Sequence, residues 1–221
     1  MRKLVLFLFV IVSPIARAQQ EIDEGVIIFK QTMSSDNEQM NAQFAMIGEL
    51  VTTTYFKVDK SRTELSNPFM GEVVTIFDTE SGQTLMTMNS PAIGKLYTSK
   101  AFSDVVGQNE GVDIKKGAES KTFLGYDCQQ YIFTMTQEGV DVEMVMFTTD
   151  KIKAIKQETL EFMQDFDGGF PLYIEIKTKN QGMMLSIVQE ATSINSEKVE
   201  DSKFDLKAPE GFTKVDSMPG M

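Results

Sequence analysis

Apolar and polar residues alternate along most of this chain, and this two-residue period limits the possible folds more than any other feature. In Val140-Asp-Val-Glu-Met-Val-Met146 the apolar side chains fall on one side and the two acids on the other. Such alternation predicts a half-buried antiparallel strand. The same pattern predicts strands over Gly25–Thr32, Thr52–Leu65, Glu72–Asp78, Gln83–Met88, Lys95–Ser99, Thr122–Cys128, Gln130–Thr136, Leu172–Thr178 and Met183–Glu190. Turn residues at Asp78–Gly82, Gln137–Gly139 and Lys179–Gly182 predict three short hairpins.

Two segments change to a helical period. Between Lys151 and Asp167 the apolar residues, Phe162 among them, step by three and four before a Gly-Gly pair, which predicts an amphipathic helix. Ser35–Glu38 is typical of a capping box and predicts a second helix that ends near Gly48. The many strands predict a mainly β (α+β) fold. Because the apolar stripe of a helix has to be buried, we expect a curved antiparallel sheet forming an incomplete barrel, with one or two helices covering the concave face.

The first 18 residues have the three parts of a secretory signal peptide. Basic residues precede the apolar run Leu4–Val12, and Ala16-Arg17-Ala18 gives the small-residue cleavage pattern. A membrane anchor would need about 20 apolar residues, so we expect cleavage after Ala18 and a single domain over 19–221. We expect a periplasmic or secreted protein that does not span the membrane. The only cysteine is Cys128, so a lipid-modified cysteine cannot form at the cleavage point.

Charge and the lack of histidine exclude several functional classes. The chain has 21 Lys and Arg against 32 Asp and Glu, a net charge of -11. Removal of Arg2, Lys3 and Arg17 would leave 18 basic residues against 32 acidic ones, a net of -14, and such a field repels nucleic acid. Without histidine, Ser-His-Asp, Cys-His and His-metal chemistry are all missing. A lone cysteine predicts no internal disulfide and a buried thiol. We also expect a monomeric protein.

Other catalytic and cofactor patterns are weak. Asp165-Phe-Asp167-Gly-Gly169 resembles the start of a calcium loop, but the later ligands do not follow, which favours a solvated helix end. Neither glycine-rich phosphate-binding motif is present, and no pair of carboxylates can be assigned to catalysis. The sequence therefore predicts a non-enzymatic protein with no cofactor and no metal.

Methionine is frequent, with 15 in the chain. Met86 and Met88, Met144 and Met146, and Met183 and Met184 lie in predicted strands. Copper(I) binding would usually need histidine or cysteine as well, so core packing is the simpler interpretation. A further alternative is an adaptable apolar cavity, because methionine is flexible and polarisable. On that hypothesis the first two pairs line a ligand site.

Arg62 is a candidate for recognition of a head group. If Thr52–Leu65 is one unbroken strand, Phe56, Val58 and Arg62 share a face, and the guanidinium lies at the mouth of a cavity. It would then pair with a carboxylate or phosphate. The alternative is a solvated ion pair with Glu64 or a neighbouring strand.

Five short motifs resemble an exported family. They are Tyr55-Phe-Lys-Val-Asp-Lys-Ser-Arg62-Thr-Glu, Thr75-Ile-Phe-Asp78, Gly125-Tyr-Asp-Cys128-Gln-Gln-Tyr131, Phe170-Pro-Leu172, and Ser202-Lys-Phe204 with Pro209-Glu-Gly-Phe212. In order and spacing they resemble the domain of unknown function numbered 4412, related to the lipoprotein-carrier (LolA/LolB-like) superfamily. The resemblance implies an incomplete barrel whose apolar concave side, covered by helices, shelters acyl chains. It places Arg62 where the carriers have an arginine after an early strand, although Thr63 rather than an aromatic residue follows here.

Two functions follow as hypotheses. The first is a soluble exported binding protein that holds an apolar or lipid-like ligand in a half-barrel cavity. Phe56, Val58, Arg62, Met86, Met88, Met144, Met146 and Phe162 are its predicted ligand-binding residues. The second is an envelope module with a solidly packed half-barrel that docks a protein partner through its acidic exterior or a sheet edge.

Overall fold

The computed structural model describes residues 20–68, 71–101, 112–137, 140–155, 166, 168–180 and 182–219. In these ranges twelve strands form a single sheet. They are β1 (Gly25–Ser35), β2 (Leu50–Phe56), β3 (Lys60–Asn67), β4 (Gly71–Asp78), β5 (Gln83–Ser90), β6 (Gly94–Ala101), β7 (Asp113–Phe123), β8 (Tyr126–Gln137), β9 (Val140–Thr149), β10 (Phe170–Asn180), β11 (Met183–Asn195) and β12 (Thr213–Lys214). Helix α1 (Glu38–Ile47) follows β1, and a 3-10 turn, Asp201–Phe204, precedes β12. The described part of the chain has no helix long and apolar enough to cross a bilayer.

The sheet consists of two antiparallel meanders. Its strand order is β12-β6-β5-β4-β3-β2-β1-β11-β10-β9-β8-β7, so β1 and β11 join the two halves. Only β12, at one edge, runs parallel to its neighbour, β6. The two edges do not pair with each other in the described residues, and the predicted mainly β, incomplete sheet is confirmed.

The connection from β6 to β7 requires this sheet to bend. Ala101 ends β6 and Asp113 begins β7, although ten strand spacings separate these strands in the sheet. At about 4.8 Å per spacing, a flat sheet would hold them about 48 Å apart. The chain between Ala101 and Asp113 reaches at most about 43 Å when fully extended. A flat sheet is therefore excluded by chain length alone.

The strand register divides the predicted site residues between two faces. Phe56, Met86, Met88, Met144 and Met146 lie on one face, which we call the methionine face, since side chains of directly paired residues share a side. The other face, with Arg62, is called the charged face.

The predicted strand Thr52–Leu65 is wrong because it contains a hairpin. β2 ends at Phe56, and the backbone N–H of Lys57 donates to the Lys60 carbonyl, 2.9 Å away. The pairing of Phe56 with Ser61 and of Tyr55 with Arg62 then puts Phe56 and Arg62 on opposite faces. Val58 lies in the turn and is 61% exposed.

A second predicted strand, Thr122–Cys128, is also wrong. β7 ends at Phe123 and β8 begins at Tyr126, so the predicted segment contains a tight turn. Leu124, with φ of 51°, and Gly125, with φ of 87°, make this turn, which needs left-handed backbone. The predicted strands at Glu72–Asp78, Gln83–Met88 and Leu172–Thr178 are confirmed within β4, β5 and β10.

Several predictions fall on residues outside the description. Residues 1–19 contain the predicted signal peptide, and residues 156–165 and 167 contain most of the helix predicted over Lys151–Asp167, with Phe162, Asp165 and Asp167. The described flanks of that helix, 151–155, 166, 168 and 169, are not helical. Ile152 instead forms a bridge with Ile22, whose backbone N–H donates to the Lys151 carbonyl at 2.8 Å. Residues 138, 139 and 181, in two of the predicted hairpin turns, are also outside the description.

The helix predicted to begin at Ser35–Glu38 is present as α1. Its N-cap is Asn37 rather than Ser35, because the Asn37 side chain accepts hydrogen bonds from the backbone N–H groups of Gln39 and Met40. The Asn41 amide fixes the helix to the end of β1 through two 2.7 Å hydrogen bonds with the Ser35 backbone. No residue of α1 is fully buried, so this helix covers one end of the sheet only loosely.

The segment after β11 is a feature that the alternation did not predict. Val199 and Phe204 are buried against the charged face with Val74, Ile76 and Leu85. β12 then extends the sheet beside β6, and Met218 packs on the opposite side against Val73 and Met88. This C-terminal segment, 196–219, therefore wraps one edge of the sheet and covers parts of both faces.

Acid should weaken the β4–β5 hairpin. Asp78 Oδ1 accepts backbone N–H bonds from Glu80 and Ser81, each 3.0 Å long, and Lys60 Nζ lies 3.6 Å from Oδ2. Burial acts to raise the pKa of Asp78, but the Ser81 and Glu80 N–H groups and the Lys60 charge outweigh it and lower the pKa. A lowered folded-state pKa means that this stabilisation is present above the ordinary carboxyl pKa and is lost as pH falls through the folded value.

We expect Asp78→Asn to destabilise the protein near neutral pH and to have little effect in acid. Urea unfolding of both proteins from about pH 7 to about pH 2 measures this difference. A difference in unfolding free energy that stays constant across the range would contradict the assignment to ionised Asp78.

Candidate functional site

The candidate site is the methionine face, which differs from the other face in charge. In the eight adjacent strands from β5 to β9, every charged residue lies on the charged face. These residues are Lys30, Lys60, Arg62, Glu64, Glu72, Asp78, Asp141, Glu143, Glu175, Lys177, Lys179 and Glu190. On the methionine face, charge appears in strands only near the edges, as with Lys100 of β6 and Lys116 of β7. The middle of this face therefore suits uncharged groups.

A row of half-buried apolar side chains crosses this face near α1. Met33 of β1 pairs with Ile187 of β11, which pairs with Ile176 of β10, and Ile176 pairs with Met144 of β9. All four are half-buried, whereas core residues such as Ile27 and Phe56 are fully buried. We call these four residues the apolar row. Their remaining exposed area is the part of the face that a ligand could still cover.

The two predicted methionine pairs belong to two separate clusters. Met86 and Met88 pack with Val73, Leu65 and Met218. Met144 and Met146 pack at the other end with residues that include Phe133, Phe166 and Ile174. Seven strand spacings separate β5 from β9, which is about 34 Å along the sheet. Each pair lies within one cluster, the two pairs belong to different clusters, and Met88 and Met146 are buried.

Two glutamines interrupt the apolar surface beside the apolar row. Gln31 of β1 and Gln189 of β11 are direct partners across the centre of the sheet, and both are half-buried. They lie on the methionine face, between the Met33–Ile187 pair and the buried Phe29–Ala191 pair. Neither side-chain amide makes a hydrogen bond to the described residues. Each amide therefore has donor and acceptor capacity available at an uncharged surface.

Phe56 and Val58 do not line an accessible site. Phe56 is fully buried in a cluster with Ile27, Phe147 and Leu172, so it is a core residue. Val58 projects from the β2–β3 turn into solvent. An unbroken strand over Thr52–Leu65 would have placed both residues on the same face as Arg62. The β2–β3 turn excludes that arrangement.

Arg62 fixes the C-terminal segment to the charged face. Its Nε donates to Glu64 Oε1 at 2.6 Å, and its Nη1 donates to the Lys203 carbonyl at 3.2 Å. Lys203 Nζ in turn lies 3.4 Å from Glu64 Oε1 and 4.1 Å from the centre of the Tyr55 ring. The predicted ion pair with Glu64 is therefore present, and the predicted position at a cavity mouth on the methionine face is wrong.

A neighbouring ion pair supports the same contact. The ammonium of Lys57 pairs with Asp201, and it also lies 3.4 Å from Glu24, which accepts a 2.8 Å hydrogen bond from the Val199 backbone. The Val199 N–H and Lys57 lower the pKa of Glu24, and the hydrogen bond from Lys57 lowers that of Asp201. Both carboxylates thus remain ionised where the segment crosses the sheet.

Replacing Arg62 with methionine should loosen the C-terminal segment. The variant loses a partly exposed ion pair and a charged hydrogen bond to backbone, so we expect the unfolding free energy to fall by about 1–2 kcal/mol. We also expect faster proteolysis within 196–219. Lys30→Met is the matched control, because the Lys30–Glu49 pair is exposed and should contribute less than about 1 kcal/mol. Unchanged stability and proteolysis in Arg62→Met would contradict this role.

Cys128 is a structural residue in this geometry. Its side chain is 1% exposed, and Sγ lies 3.5 Å from the Tyr126 carbonyl. Burial raises the pKa of the Cys128 thiol to about 12. Since the thiolate is the nucleophilic form, this cysteine is not suited to covalent catalysis at neutral pH.

A groove of about 700 Å³ lies at the strand ends of β8, β9 and β10. Its lining includes Asp141, Glu143, Lys177 and Lys179, which lie on the charged face. Lys177 is 3.0 Å from Glu175, and the hydrogen bond to that carboxylate raises the pKa of Lys177. With Asp113, three acids and two lysines line the groove, and Met135, Val142 and Thr178 of the methionine face form part of its wall.

Comparison with known proteins does not assign the chain to a family. No family model matches it. No curated protein matches it either. Two crystal forms of PNGF-II are 18% identical, with TM-scores of 0.46, over 86% and 88% of this chain but only 30% and 32% of PNGF-II. The lipoprotein LppX of Mycobacterium tuberculosis is 7% identical, with a TM-score of 0.35, over 80% of this chain and 90% of LppX. The resemblance to family 4412 therefore stays a prediction.

Of the apolar row and the two glutamines, sequence reasoning predicted only Met144 as a site residue. Gln31 and Met33 alternate with Lys30 and Thr32, and Ile187 and Gln189 alternate with Val188, so a shared face could be predicted within each strand. The pairing of β1 with β11 brings the two sets together, and no short turn joins these strands. No local signal predicts such a distant contact.

Proposed function

We propose that the protein is a non-catalytic binding protein for an apolar, lipid-like ligand held on the methionine face. The observation that carries the proposal is the segregation of charge across eight adjacent strands. Burying apolar area contributes about 25 cal/mol per Å², whereas covering a charge costs several times the strength of a hydrogen bond. An uncharged face with half-buried Met33, Ile176, Ile187 and Met144 is the surface where such a ligand gains most.

The predicted export of the chain is part of the same proposal. A soluble carrier in an envelope compartment would protect acyl chains from water between membranes, and the N-terminal pattern of residues 1–18 predicts that location. The mature N-terminus would then begin just before Gln20, close to where Ile22 joins the sheet domain beside Ile152.

The sheet edges do not favour the alternative of a partner-docking module. β7 forms one edge and carries Lys115, Lys116, Glu119 and Lys121, with a register shift between Lys116 and Ser120. Charged side chains and bulges are features that protect an edge from pairing with another chain. The opposite edge is β12, which is only two residues long.

Native purification tests the proposal. We would purify the protein from its exporting host without detergent, extract it with organic solvent and identify bound molecules by mass spectrometry. We expect one apolar molecule per chain, and none from Met33→Asp prepared in the same way. A blank extract, repeated after fatty acids and phospholipids have been offered, would refute the carrier function and favour the partner-binding alternative.

A further inference from the structure

We infer that the ligand is a neutral amphiphile whose ester, amide or hydroxyl group binds the Gln31–Gln189 pair while its chain lies along the apolar row. This inference rests on the proposed function and names the ligand class for the same site.

The position of the two glutamines is the first argument. They face each other on the two strands that join the halves of the sheet, directly beside Met33 and Ile187. A ligand chain on the apolar row would therefore bring its polar end to the amides without crossing a charged residue. The described chain supplies no hydrogen-bond partner for either amide, so a ligand group would meet free donors and acceptors.

The absence of nearby cations on this face selects a neutral head group. An anionic head group would be moved out of water at a surface where none of the described strand residues from β5 to β9 is charged. That desolvation is costly without a paired cation. Lys116, on the methionine face of β7, lies four strand spacings from Gln189, which is about 19 Å along the sheet. Arg62 is on the opposite face and already pairs with Glu64.

Glutamine side chains match a neutral ester or hydroxyl in hydrogen-bonding capacity. The amide NH₂ donates to a carbonyl oxygen, and the amide oxygen accepts from a hydroxyl. Two such groups side by side can bind a carbonyl and a neighbouring hydroxyl at once, as in a monoacylglycerol. Replacing both glutamines with leucine keeps the approximate size of the side chains and removes these interactions.

Three probes of equal chain length test the inference. We would measure the binding of monolaurin, laurate and dodecane to the delipidated full chain by equilibrium dialysis near pH 8. We expect monolaurin to bind at least about tenfold more tightly than laurate. In the Gln31→Leu/Gln189→Leu variant, we expect monolaurin affinity to fall about tenfold while dodecane affinity stays within about twofold of the original. Gln83→Leu, an exposed glutamine on the charged face of β5, is the matched control and should change neither.

The outcomes separate the inference from the proposed function. Equal binding of laurate and monolaurin, or unchanged monolaurin affinity in the double variant, would overturn the inference and leave the carrier function standing. If none of the three probes binds the unmodified protein, the proposed function itself fails. A loss of dodecane affinity equal to that of monolaurin would also overturn the inference, because it would indicate a general change in the face.

Discussion

Phe56→Ala should lower the free energy of unfolding by about 3–5 kcal/mol, which is the usual cost of removing a fully buried phenylalanine. Phe56 is 0% exposed and belongs to a buried cluster that includes Ile27, Phe29 and Leu172. The members of this cluster lie on several strands of the central sheet and cannot all move inward to fill the space. The truncation therefore leaves a cavity in addition to the lost apolar transfer energy. Urea unfolding at neutral pH, with the slope compared between variants, measures this effect.

Val58→Ala is the matched control for this prediction. Val58 is two residues away, in the β2–β3 turn, and is 61% exposed, so its truncation should change stability by less than about 0.5 kcal/mol. If Thr52–Leu65 were one continuous strand, both side chains would lie on one face, and the two truncations would lower the unfolding free energy by similar amounts. Similar losses for the two variants would contradict the hairpin at Lys57–Asp59. A loss below about 1 kcal/mol for Phe56→Ala would indicate that its ring lines an open cavity rather than core.

Local alternation was enough to predict most of the sheet. Strands such as β4, β5 and β10 follow from a two-residue period bounded by turn residues, because side chains on a half-buried sheet must alternate. The C-terminal segment has no such period. Its buried residues, Val199, Phe204 and Met218, are widely spaced, and their role depends on a sheet that exists only after the rest has folded.

The site was harder to predict because a turn that goes undetected in the sequence reverses the predicted face of every residue after it. The turn between Phe56 and Lys60 contains no glycine or proline, so the alternation of Thr52–Leu65 continues through it without a visible break. An error of this kind moves Arg62 from the charged face to the methionine face. The observed partners of Arg62, Glu64 and the Lys203 carbonyl, are consistent with the opposite assignment.

The pairing of distant strands is the other limit on sequence reasoning. β1 and β11 are adjacent in the sheet, although almost the whole domain lies between them in sequence. This contact creates both the apolar row and the glutamine pair. The methionines, which are conspicuous by number, contribute only Met33 and Met144 to that row. The methionine count therefore indicated an apolar surface, and only the strand register showed which residues form it.

Met33→Asp should abolish ligand binding, with a loss of at least about 100-fold in affinity for a neutral lipid such as monolaurin. Met33 lies at one end of the apolar row, next to Ile187 and one pair away from Gln31. A carboxylate there would have to lose its hydration when a ligand chain covers it, and the described strands from β5 to β9 place no cation on this face to compensate. The short aspartate side chain also cannot extend its charge to solvent as a lysine can. Equilibrium dialysis with the same probe measures the loss.

Thr32→Asp separates this effect from a general effect of added charge. Thr32 is the adjacent residue of β1, exposed on the charged face, so the same carboxylate is placed on the same strand but outside the proposed site. We expect its affinity for monolaurin to stay within about twofold, since exposed substitutions away from a site have small effects. Thermal unfolding of both variants shows whether each is folded under the binding conditions. If Met33→Asp is folded and still binds monolaurin as the unmodified protein does, the ligand does not lie on the methionine face, because no apolar chain can cover that position without covering the charge.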